Sequence, residues 1–426
     1  MKILILTVGS HGDVRPYVAL ASGLRAAGHA VTICTCSRFE GFIRQHGIGY
    51  APLNNDLIDL MDSDDGKAAM EDTRNLWQAV RTGIKLLPKL RPMMRRQIDE
   101  MWQAADSIRP DLILFHKKAL GAEDFAEKLG VPCALAFYLP LYVATGDFPA
   151  MGFPSVPLGR WYNRLTYKVV DWVTRTSTDR FVRPWRRANG LSAKRRRYRR
   201  AGDDDAIAVL HAFSRSVIPQ PEDWPASATV TGYWFLNEAD RDGQEECAPL
   251  VQFLSEGPPP VYVGFGSISG RDPRRTTRMI LEAIRQANVR AVLATGWGGL
   301  NVDELRLPES VLAINSAPHG WLFPRASVVV HHGGCGTTAA GLLAGKPTIV
   351  CPFFGDQPFW GGVVHRLGVG PRPIPQRKLN AERLASAIRQ AITDSDMRQR
   401  AARLGERISR EDGVGNAVKF IEQRFA

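Results

Sequence analysis

Short apolar runs alternate with helical patterns along the chain, and this alternation constrains the fold more than any other feature. The N-terminal half contains "KILILTV", "AVTICTC", "RPDLILFH" and "VPCALAFY". The C-terminal half contains "PPVYVGFGSI", "VRAVLATGWGG", "SVVVHHGG" and "PTIVCPFFGD". Strands that alternate with helices predict a parallel sheet with helices on both faces. Because the pattern starts twice, the sequence predicts two doubly wound α/β domains.

The domain limits follow from the length and from one stretch rich in Pro, Ser and Thr. A chain of 426 residues is long enough for two domains with full cores. The segment 214–235 has a linker composition. We therefore expect an N-terminal domain at 1–215, a linker at 216–240 and a C-terminal domain at 241–395. Helices in 396–426 are expected to cross back to the first domain.

Composition limits the class of protein. With 44% hydrophobic and 23% charged residues, the chain is predicted to be globular rather than disordered. No apolar stretch approaches the roughly 18 residues of a spanning helix, and the first residues predict a strand rather than a signal peptide. Six cysteines in a chain of this size do not indicate a disulfide framework. These features predict a cytoplasmic protein.

The charge is strongly basic, at +12 with a pI near 9.6, which suggests an anionic partner. Nine basic residues and no acid lie in 183–200. Upstream of them, four apolar residues recur at helical spacing beside a basic strip: Trp161, Leu165, Val169 and Trp172, with Arg160, Arg164 and Lys168. The pattern favours peripheral contact of 160–200 with an anionic membrane. The alternative is that the apolar stripe faces a core or an acceptor pocket.

The segment "SVVVHHGGCGTTAAGLLAGKP" at 327–347 predicts a strand, a glycine turn and the start of a helix. Adjacent histidines on a strand point to opposite faces, so His331 and His332 cannot both bind one metal ion. The first N–H groups of a helix have no internal partner and attract anions. The segment therefore predicts a phosphate site. The alternative is that the glycines serve only the close packing of helix and strand.

The motif "GSHGDVRP" at 9–16 contains a carboxylate, Asp13, where the first strand ends. Aspartate is a favoured helix N-cap, and that is the structural interpretation. Pro16 has no N–H to receive such a cap, which weakens the N-cap interpretation of Asp13. Ligands of open α/β sheets bind at the carboxyl ends of strands, so a functional role for Asp13 is favoured. His11 is a neighbour of Asp13, a competing base or a turn residue.

Acidic residues elsewhere allow two further interpretations. In "PFFGDQPFWGG", Asp356 and Gln357 follow a strand and suit the hydroxyls of a sugar, or else form a solvated turn. Three triplets match an Asp-x-Asp metal motif, but each lies in a polar stretch without a preceding strand. They begin at Asp62, Asp203 and Asp394. We interpret the triplets as solvated loops or helix caps, and we expect no metal site.

Taken together, "GSHGDVRP" and the long segment 315–371 resemble the family 1 glycosyltransferases of the GT-B fold. Within that family the chain is most similar to sterol 3-beta-glucosyltransferases and to bacterial enzymes that glycosylate antibiotic aglycones. The resemblance implies two Rossmann-like domains facing each other across a cleft, with a C-terminal helix packed back on the first domain. It also implies that the N-terminal domain binds the acceptor and that the C-terminal domain binds the nucleotide sugar. It is specific over 9–20 and 315–371, and loose over 55–255.

The resemblance also implies roles for individual residues. His332 is expected at the donor phosphates, and Asp356 and Gln357 at the sugar hydroxyls. Asp13 matches the general base of the sterol and antibiotic enzymes. The other donor-binding positions it implies are Ser10, Ser267, Ala317, His319, Gly334, Gly336 and Thr337. Two positions depart from the family pattern. Cys335 replaces the usual alanine or tryptophan. His11 replaces a common arginine, which leaves open whether a second titrating group assists Asp13.

The resulting prediction is an inverting, metal-independent O-glycosyltransferase that needs no cofactor. It would move glucose from UDP-glucose to a hydroxyl of a lipophilic, sterol-like acceptor bound by walls from roughly 55–180. One alternative is a dTDP- or UDP-sugar enzyme acting on a polyketide or peptide aglycone. Another is a protein that binds nucleotide sugars or nucleic acid without catalysis. Nucleic-acid binding is disfavoured because the basic cluster offers only Trp185 and Tyr198 for stacking on bases. A dinucleotide-dependent oxidoreductase is disfavoured because no G-x-G-x-x-G follows the first strand.

Overall fold

The structure is a computed structural model that describes residues 1–63, 76–192, 207–236, 248–266, 272–296, 299–303 and 305–426. The chain divides into two compact units. The first comprises residues 1–236 together with 412–426, and the second comprises residues 237–411. Each unit contains its own parallel sheet, so the prediction of two doubly wound α/β domains is confirmed.

The sheet of the first unit has the strand order β3-β2-β1-β4-β5-β6-β7, and every neighbouring pair is parallel. Its strands are β1 (Lys2–Leu6), β2 (Ala30–Cys36), β3 (Gly49–Leu53), β4 (Leu112–Phe115), β5 (Cys133–Phe137), β6 (Ala208–His211) and β7 (Ala228–Val230). The central strands β1, β4 and β5 are buried along nearly their whole length. This burial explains why they read in the sequence as continuous apolar runs rather than as alternating patterns.

Helices follow most of these strands. They are α1 (His11–Ala26), α2 (Glu40–Arg44), α3 (Asp56–Asp62), α4 (Leu76–Ile108), α5 (Ala122–Leu129) and α6 (Gly159–Ala188). The last helix of the chain, α14 (Gly413–Phe425), also belongs to this unit and packs on α1, where Gly23 lies directly against Val414. The expectation that the C-terminal helix packs on the first domain is therefore confirmed.

The second unit has a sheet of order β10-β9-β8-β11-β12, again with parallel neighbours. Its strands are β8 (Val261–Gly264), β9 (Ala291–Ala294), β10 (Val311–Ile314), β11 (Val328–His331) and β12 (Thr348–Val350). The helices are α7 (Ala248–Ser255), α8 (Pro273–Ala287), α9 (His319–Leu322), α10 (Cys335–Leu343), α11 (Gln357–Arg366), α12 (Ala381–Thr393) and α13 (Ser395–Ser409). Apolar side chains from α8 and α12 cover one face of this sheet.

The observed limits differ from the expected domains at two places. The segment expected as a linker contains β7, which pairs with β6 as an edge strand of the first sheet. Of the helices expected to cross back, α13 belongs to the second unit, where the backbones of Gly405 and Gly345 lie in close contact. Strands of three or four residues such as β7 and β10 carry too little periodicity to be recognised in a sequence.

No helix in the described part of the chain is long and apolar enough to cross a membrane.

Candidate active site

Three neighbouring strands of the first sheet bring polar side chains to one edge. β1 lies beside β4, and β4 lies beside β5, all parallel, so their carboxyl ends meet. Asp13 follows β1, His116 and Lys118 follow β4, and Tyr138 follows β5. Their side chains surround a single carboxylate, that of Asp13, which is 5% exposed. Sequence reasoning found Asp13 at this edge but missed the other three residues.

The carboxylate of Asp13 accepts four hydrogen bonds. Oδ1 accepts from Lys118 Nζ and from the hydroxyl of Tyr138, both at 2.7 Å. Oδ2 accepts from the backbone N–H of Ser10 at 2.8 Å and from the Ser10 hydroxyl at 3.2 Å. Four donors fill the four lone-pair sites of a carboxylate. The geometry therefore describes an ionised and fully satisfied acid.

The surrounding charges agree with ionisation. Burial by itself would raise the pKa of Asp13, but the ammonium group of Lys118, the nearby His116 and the hydrogen bonds from Lys118 and Tyr138 lower it to about 2. Burial lowers the pKa of His116 to about 3, so its ring is neutral at neutral pH. Its Nε2 atom lies 3.9 Å from Asp13 Oδ1 and has no hydrogen-bond partner among the described residues.

The start of α1 positions this carboxylate. Ser10 is the N-cap, and Asp13 occupies the third helical position, where its carboxylate reaches back to the Ser10 N–H as in a capping box. The structural interpretation of Asp13 as the N-cap itself was therefore wrong, because α1 begins two residues earlier. Gly9 has a φ of +141°, and a Cβ atom there would lie 2.1 Å from Asp13 Oδ2. Only glycine leaves room for the carboxylate to fold back.

His11 is not among the residues that donate hydrogen bonds to Asp13 in the described part of the chain. Its ring packs against Phe42, at 4.9 Å between centroids, and against Phe39, at 6.1 Å. Ser10, which the resemblance placed at the nucleotide sugar, donates hydrogen bonds from its amide and its hydroxyl to Asp13.

The residues that sequence reasoning missed carried a usable signal. His116 and Lys118 follow an apolar run directly, and Tyr138 ends the next one along the chain. Polar residues at the ends of parallel strands are candidates for a site. Which strands are neighbours decides whether those residues meet, and the strand order is a property of the tertiary structure.

In the second unit, β11 and α10 are joined by a glycine turn, as the sequence predicts. Gly334 is the N-cap of α10, and Thr338 N–H donates to the Gly334 carbonyl at 2.9 Å. The amides of Gly336 and Thr337 precede this first intrahelical bond, so the helix leaves them for other acceptors. Gly336 and Thr337 thus lie at a helix N-terminus of the kind that binds phosphate.

The two histidines before this turn have different surroundings. Their rings are 6.0 Å apart between centroids, with planes inclined at 87°. His331 is fully buried, and its Nδ1 accepts from Gly333 N–H at 2.9 Å, which orders the turn. His332 lies beside the turn, where a Cβ atom on Gly334 would be 2.5 Å from its Nε2. Burial lowers the pKa of His332 to about 4, so it offers a neutral imidazole at neutral pH.

Three other residues expected to bind the nucleotide sugar make contacts within the protein. Gln357 is 3% exposed, and its side-chain oxygen accepts from the backbone amides of Phe353 at 2.7 Å and Phe354 at 3.2 Å. Asp356 accepts from the indole N–H of Trp360 at 3.1 Å. His319 stacks on Phe323, with ring centroids 4.4 Å apart.

Two expected donor-binding positions, Ala317 and Ser267, and the three Asp-x-Asp triplets remain. Ala317 packs at the edge of the apolar cluster of Val292 and Phe323. Ser267 lies outside the described residues. Asp394 caps α13 by accepting from Met397 N–H at 2.8 Å, so this Asp-x-Asp triplet begins with a helix cap. Asp203 is outside the described residues, as is the second aspartate of the triplet at 62. Within the described ranges, no three His, Cys, Asp or Glu side chains form a group suited to a metal ion.

Comparison with known proteins agrees with this architecture. Residues 3–145 match the glycosyltransferase family 28 N-terminal domain, and residues 287–414 match the erythromycin biosynthesis protein CIII-like C-terminal domain. A sterol 3-beta-glucosyltransferase of Arabidopsis thaliana is 35% identical over 434 residues, which cover 100% of this chain and 68% of the plant protein. The chain belongs to the sterol 3-beta-glucosyltransferase family.

Other members of the family are longer. A sterol 3-beta-glucosyltransferase of Emericella nidulans is 37% identical over 99% of this chain, but the chain spans only 30% of the length of that fungal protein. Among solved structures, the glycosyltransferase of kitacinnamycin aligns over 100% of this chain and 99% of its own, with a TM-score of 0.73 and 21% identity. The spinosyn forosaminyltransferase aligns with a TM-score of 0.69 and 17% identity over 99% of this chain and 98% of its own. These similarities show that this family member has the GT-B fold.

A second surface of this family member lies on α6 and the loop before it. Most of the exposed large apolar side chains among the described residues occur here: Val156, Leu158, Trp161, Leu165, Val169, Trp172 and Val173. The two tryptophans are 64% and 67% exposed. The apolar stripe predicted from the sequence therefore faces outward within its unit.

The basic residues beside this stripe are partly neutralised. Arg160 pairs with Asp147 at 2.8 Å and with Asp223 at 3.1 Å, and Arg164 pairs with Asp223 at 2.9 Å. Arg186 is fully buried, at 2.6 Å from Asp124. The basic cluster from 193 onward lies outside the described residues.

Proposed function

We propose that this protein is an inverting, metal-independent O-glycosyltransferase that moves glucose from UDP-glucose to a hydroxyl of a sterol-like acceptor. The observation that carries the proposal is the ionised, buried Asp13 at the carboxyl edge of the first sheet. The family relationship to sterol 3-beta-glucosyltransferases supports the acceptor class.

The reaction assigns one task to each unit. The acceptor oxygen attacks the anomeric carbon of the sugar, the bond from that carbon to the diphosphate breaks, and the hydroxyl proton passes to Asp13. Attack on the face opposite the leaving group inverts the anomeric centre. The diphosphate that departs carries the negative charge, which the amides of Gly336 and Thr337 and the His332 ring would stabilise. Fixed dipoles of this kind take the part that a metal ion has in other transferases.

The test is product formation by the purified full-length protein. Incubation with UDP-glucose and a sterol should give the sterol glucoside by mass spectrometry, and the proton coupling at the anomeric carbon should show the β configuration. The rate should be the same in EDTA and in added magnesium or manganese. Absence of the glucoside refutes the acceptor or the donor, an α product refutes inversion, and loss of activity in EDTA refutes metal independence.

A second candidate is transfer of a sugar from a dTDP- or UDP-linked donor to a polyketide or peptide aglycone. It is favoured by the structural similarity to antibiotic glycosyltransferases, one of which was solved with thymidine diphosphate. Assays of UDP- and dTDP-sugars against sterols, polyketides and peptides distinguish the candidates. The product mass identifies the acceptor and the sugar, and the donor that gives product identifies the nucleotide.

We also propose that α6 rests on an anionic membrane surface, from which a lipophilic acceptor would be drawn. The outward tryptophans Trp161 and Trp172 support contact with the interfacial region. Because Arg160 and Arg164 are engaged by carboxylates, apolar contact carries more of the binding than the sequence pattern suggested.

Sedimentation with liposomes tests this surface. The wild-type protein should pellet with phosphatidylserine vesicles at low salt and less at high salt, and the Trp161→Ser/Trp172→Ser double variant should stay in the supernatant. Replacing Trp102, which packs between Phe125 and Trp185 in the same unit, by Phe is the control and should leave sedimentation unchanged. Equal binding of wild type and the double variant refutes the assignment to α6.

A further inference from the structure

The carboxylate of Asp13 has no free lone pair for an acceptor hydroxyl. Oδ1 is occupied by Lys118 and Tyr138, and Oδ2 by the amide and hydroxyl of Ser10. A general base must come within hydrogen-bond reach of the proton that it removes. One of the four donors must therefore leave before Asp13 can act on an acceptor.

Two of the four donors are held by their surroundings. The Ser10 amide is fixed at Oδ2 by the start of α1, because Ser10 is its N-cap, whereas the Ser10 hydroxyl makes the longest of the four contacts, at 3.2 Å. The Tyr138 ring, whose hydroxyl donates to Oδ1, is stacked against His116, with centroids 5.5 Å apart and planes at 19°, and against Phe137, with centroids 5.1 Å apart and planes at 27°. The amide and the stacked tyrosine cannot withdraw without moving helix α1 or the neighbouring rings.

Of the two donors to Oδ1, Lys118 is the one that can leave. Its side chain is 45% exposed, whereas that of Asp13 is 7% exposed, so the ammonium group approaches the buried carboxylate from the solvent side. A lysine side chain has four rotatable bonds, and its ammonium group is strongly hydrated, so it can move into water without disturbing the fold.

We propose that Lys118 is a displaceable cap on Asp13 and that the acceptor hydroxyl takes the place of its ammonium group at Oδ1. The inference rests on the proposed function, because it assumes a hydroxyl acceptor. In the free protein Lys118 keeps Asp13 ionised and weakly basic. When the acceptor displaces Lys118, the carboxylate loses its nearest positive charge and becomes a stronger base at the moment at which a base is needed. Lys118 is thus a positioning residue.

The proton affinity of Asp13 depends on every titratable group that faces it. These groups are Lys118 and His116 after β4, Tyr138 after β5, and Tyr17 one turn further along α1. His116 is neutral above pH values of about 3, and burial together with Asp13 raises the pKa of Tyr17 well above its usual range. Of these groups, Lys118 lowers the pKa of Asp13 most, so its departure governs the basicity of Asp13.

The pH dependence of turnover tests the proposal. The acid limb of kcat/KM for the acceptor reports Asp13 in the free protein, and the acid limb of kcat reports it in the complex. In the wild type the kcat limb should lie at higher pH than the kcat/KM limb. Lys118→Met should raise the kcat/KM limb by about 1–3 pH units and bring the two limbs together. Lys118→Arg should keep them apart.

Lys117 supplies a matched control. It is the adjacent lysine, but it pairs with Glu123 at 2.7 Å, so Lys117→Met removes the same charge from the same loop and should leave both limbs in place. Coincident limbs in the wild type, or limbs that do not move in Lys118→Met, overturn the proposal. If the wild type transfers no sugar to any hydroxyl acceptor, the proposed function fails instead.

A second measurement needs no turnover. Lysine acetylation followed by mass spectrometry should show faster labelling of Lys118 when the acceptor is added without donor, because displacement releases the ammonium group from its ion pair. Lys117 should label at the same rate with and without acceptor. Unchanged or slower labelling of Lys118 with bound acceptor contradicts the displacement.

Discussion

Replacing Asp13 by Asn separates the chemistry of this carboxylate from its contribution to the fold. The folded pKa lies near 2 against an ordinary value of 3.8, and each unit corresponds to about 1.4 kcal/mol, so the ionised carboxylate contributes about 2 kcal/mol to stability at neutral pH. Because the folded pKa is the lower one, this contribution is present above pH 3.8 and is lost as the pH falls through about 2. The amide of Asn must also turn its NH₂ group toward two donors.

We therefore expect Asp13→Asn to lower the free energy of unfolding by about 2 kcal/mol at pH 7 and to lower turnover by a factor of about 10²–10⁴. Urea denaturation at pH 7 and pH 3 measures the first effect, and the difference between wild type and variant should be smaller at pH 3. Initial rates of sterol glucoside formation, taken well below the melting temperature of the variant, measure the second. Affinity for UDP should stay at the wild-type value, because the turn proposed to bind the diphosphate belongs to the other unit.

Asp111→Asn is the control. Asp111 accepts the backbone N–H of Lys2 at 2.7 Å but lies on the exposed side of the same unit, so its replacement should leave turnover unchanged. A wild-type rate in Asp13→Asn would show that Asp13 serves only the start of α1. An equal loss of stability at both pH values would contradict the charge argument.

Three other variants probe neighbouring features. Gln357→Ala removes the acceptor of two backbone amides and should lower the free energy of unfolding by about 1–3 kcal/mol in urea denaturation; an unchanged value would show that the turn has other support. Arg186→Met leaves Asp124 buried without its cation and should cost about 3–5 kcal/mol, seen as a large drop in melting temperature at pH 7. Gly334→Ala places a Cβ atom against the His332 ring and should weaken UDP binding about tenfold, or roughly 1.4 kcal/mol, by calorimetry; wild-type affinity would remove His332 from the phosphate site.

The glycine turn before α10 was predictable because all its parts are close together in the sequence. A strand, two glycines and a helix start lie within about ten residues. Gln357 shows the limit of such reasoning. Its position after a strand suggested contact with a sugar, but nothing in the local pattern shows that its side-chain oxygen accepts two turn amides in the interior.

The sequence by itself determined two doubly wound units, the place of the helix N-terminus in the second, and the carboxylate at the end of the first strand, because apolar periodicity and glycine turns are local signals. Only the tertiary structure decided what surrounds that carboxylate. Lys118 lies 105 residues from Asp13 and Tyr138 lies 125 residues away, and they meet because β1, β4 and β5 are neighbours in the sheet. Strand order depends on packing across the whole unit, so the donors that hold Asp13 ionised could not be read from any single stretch of the chain.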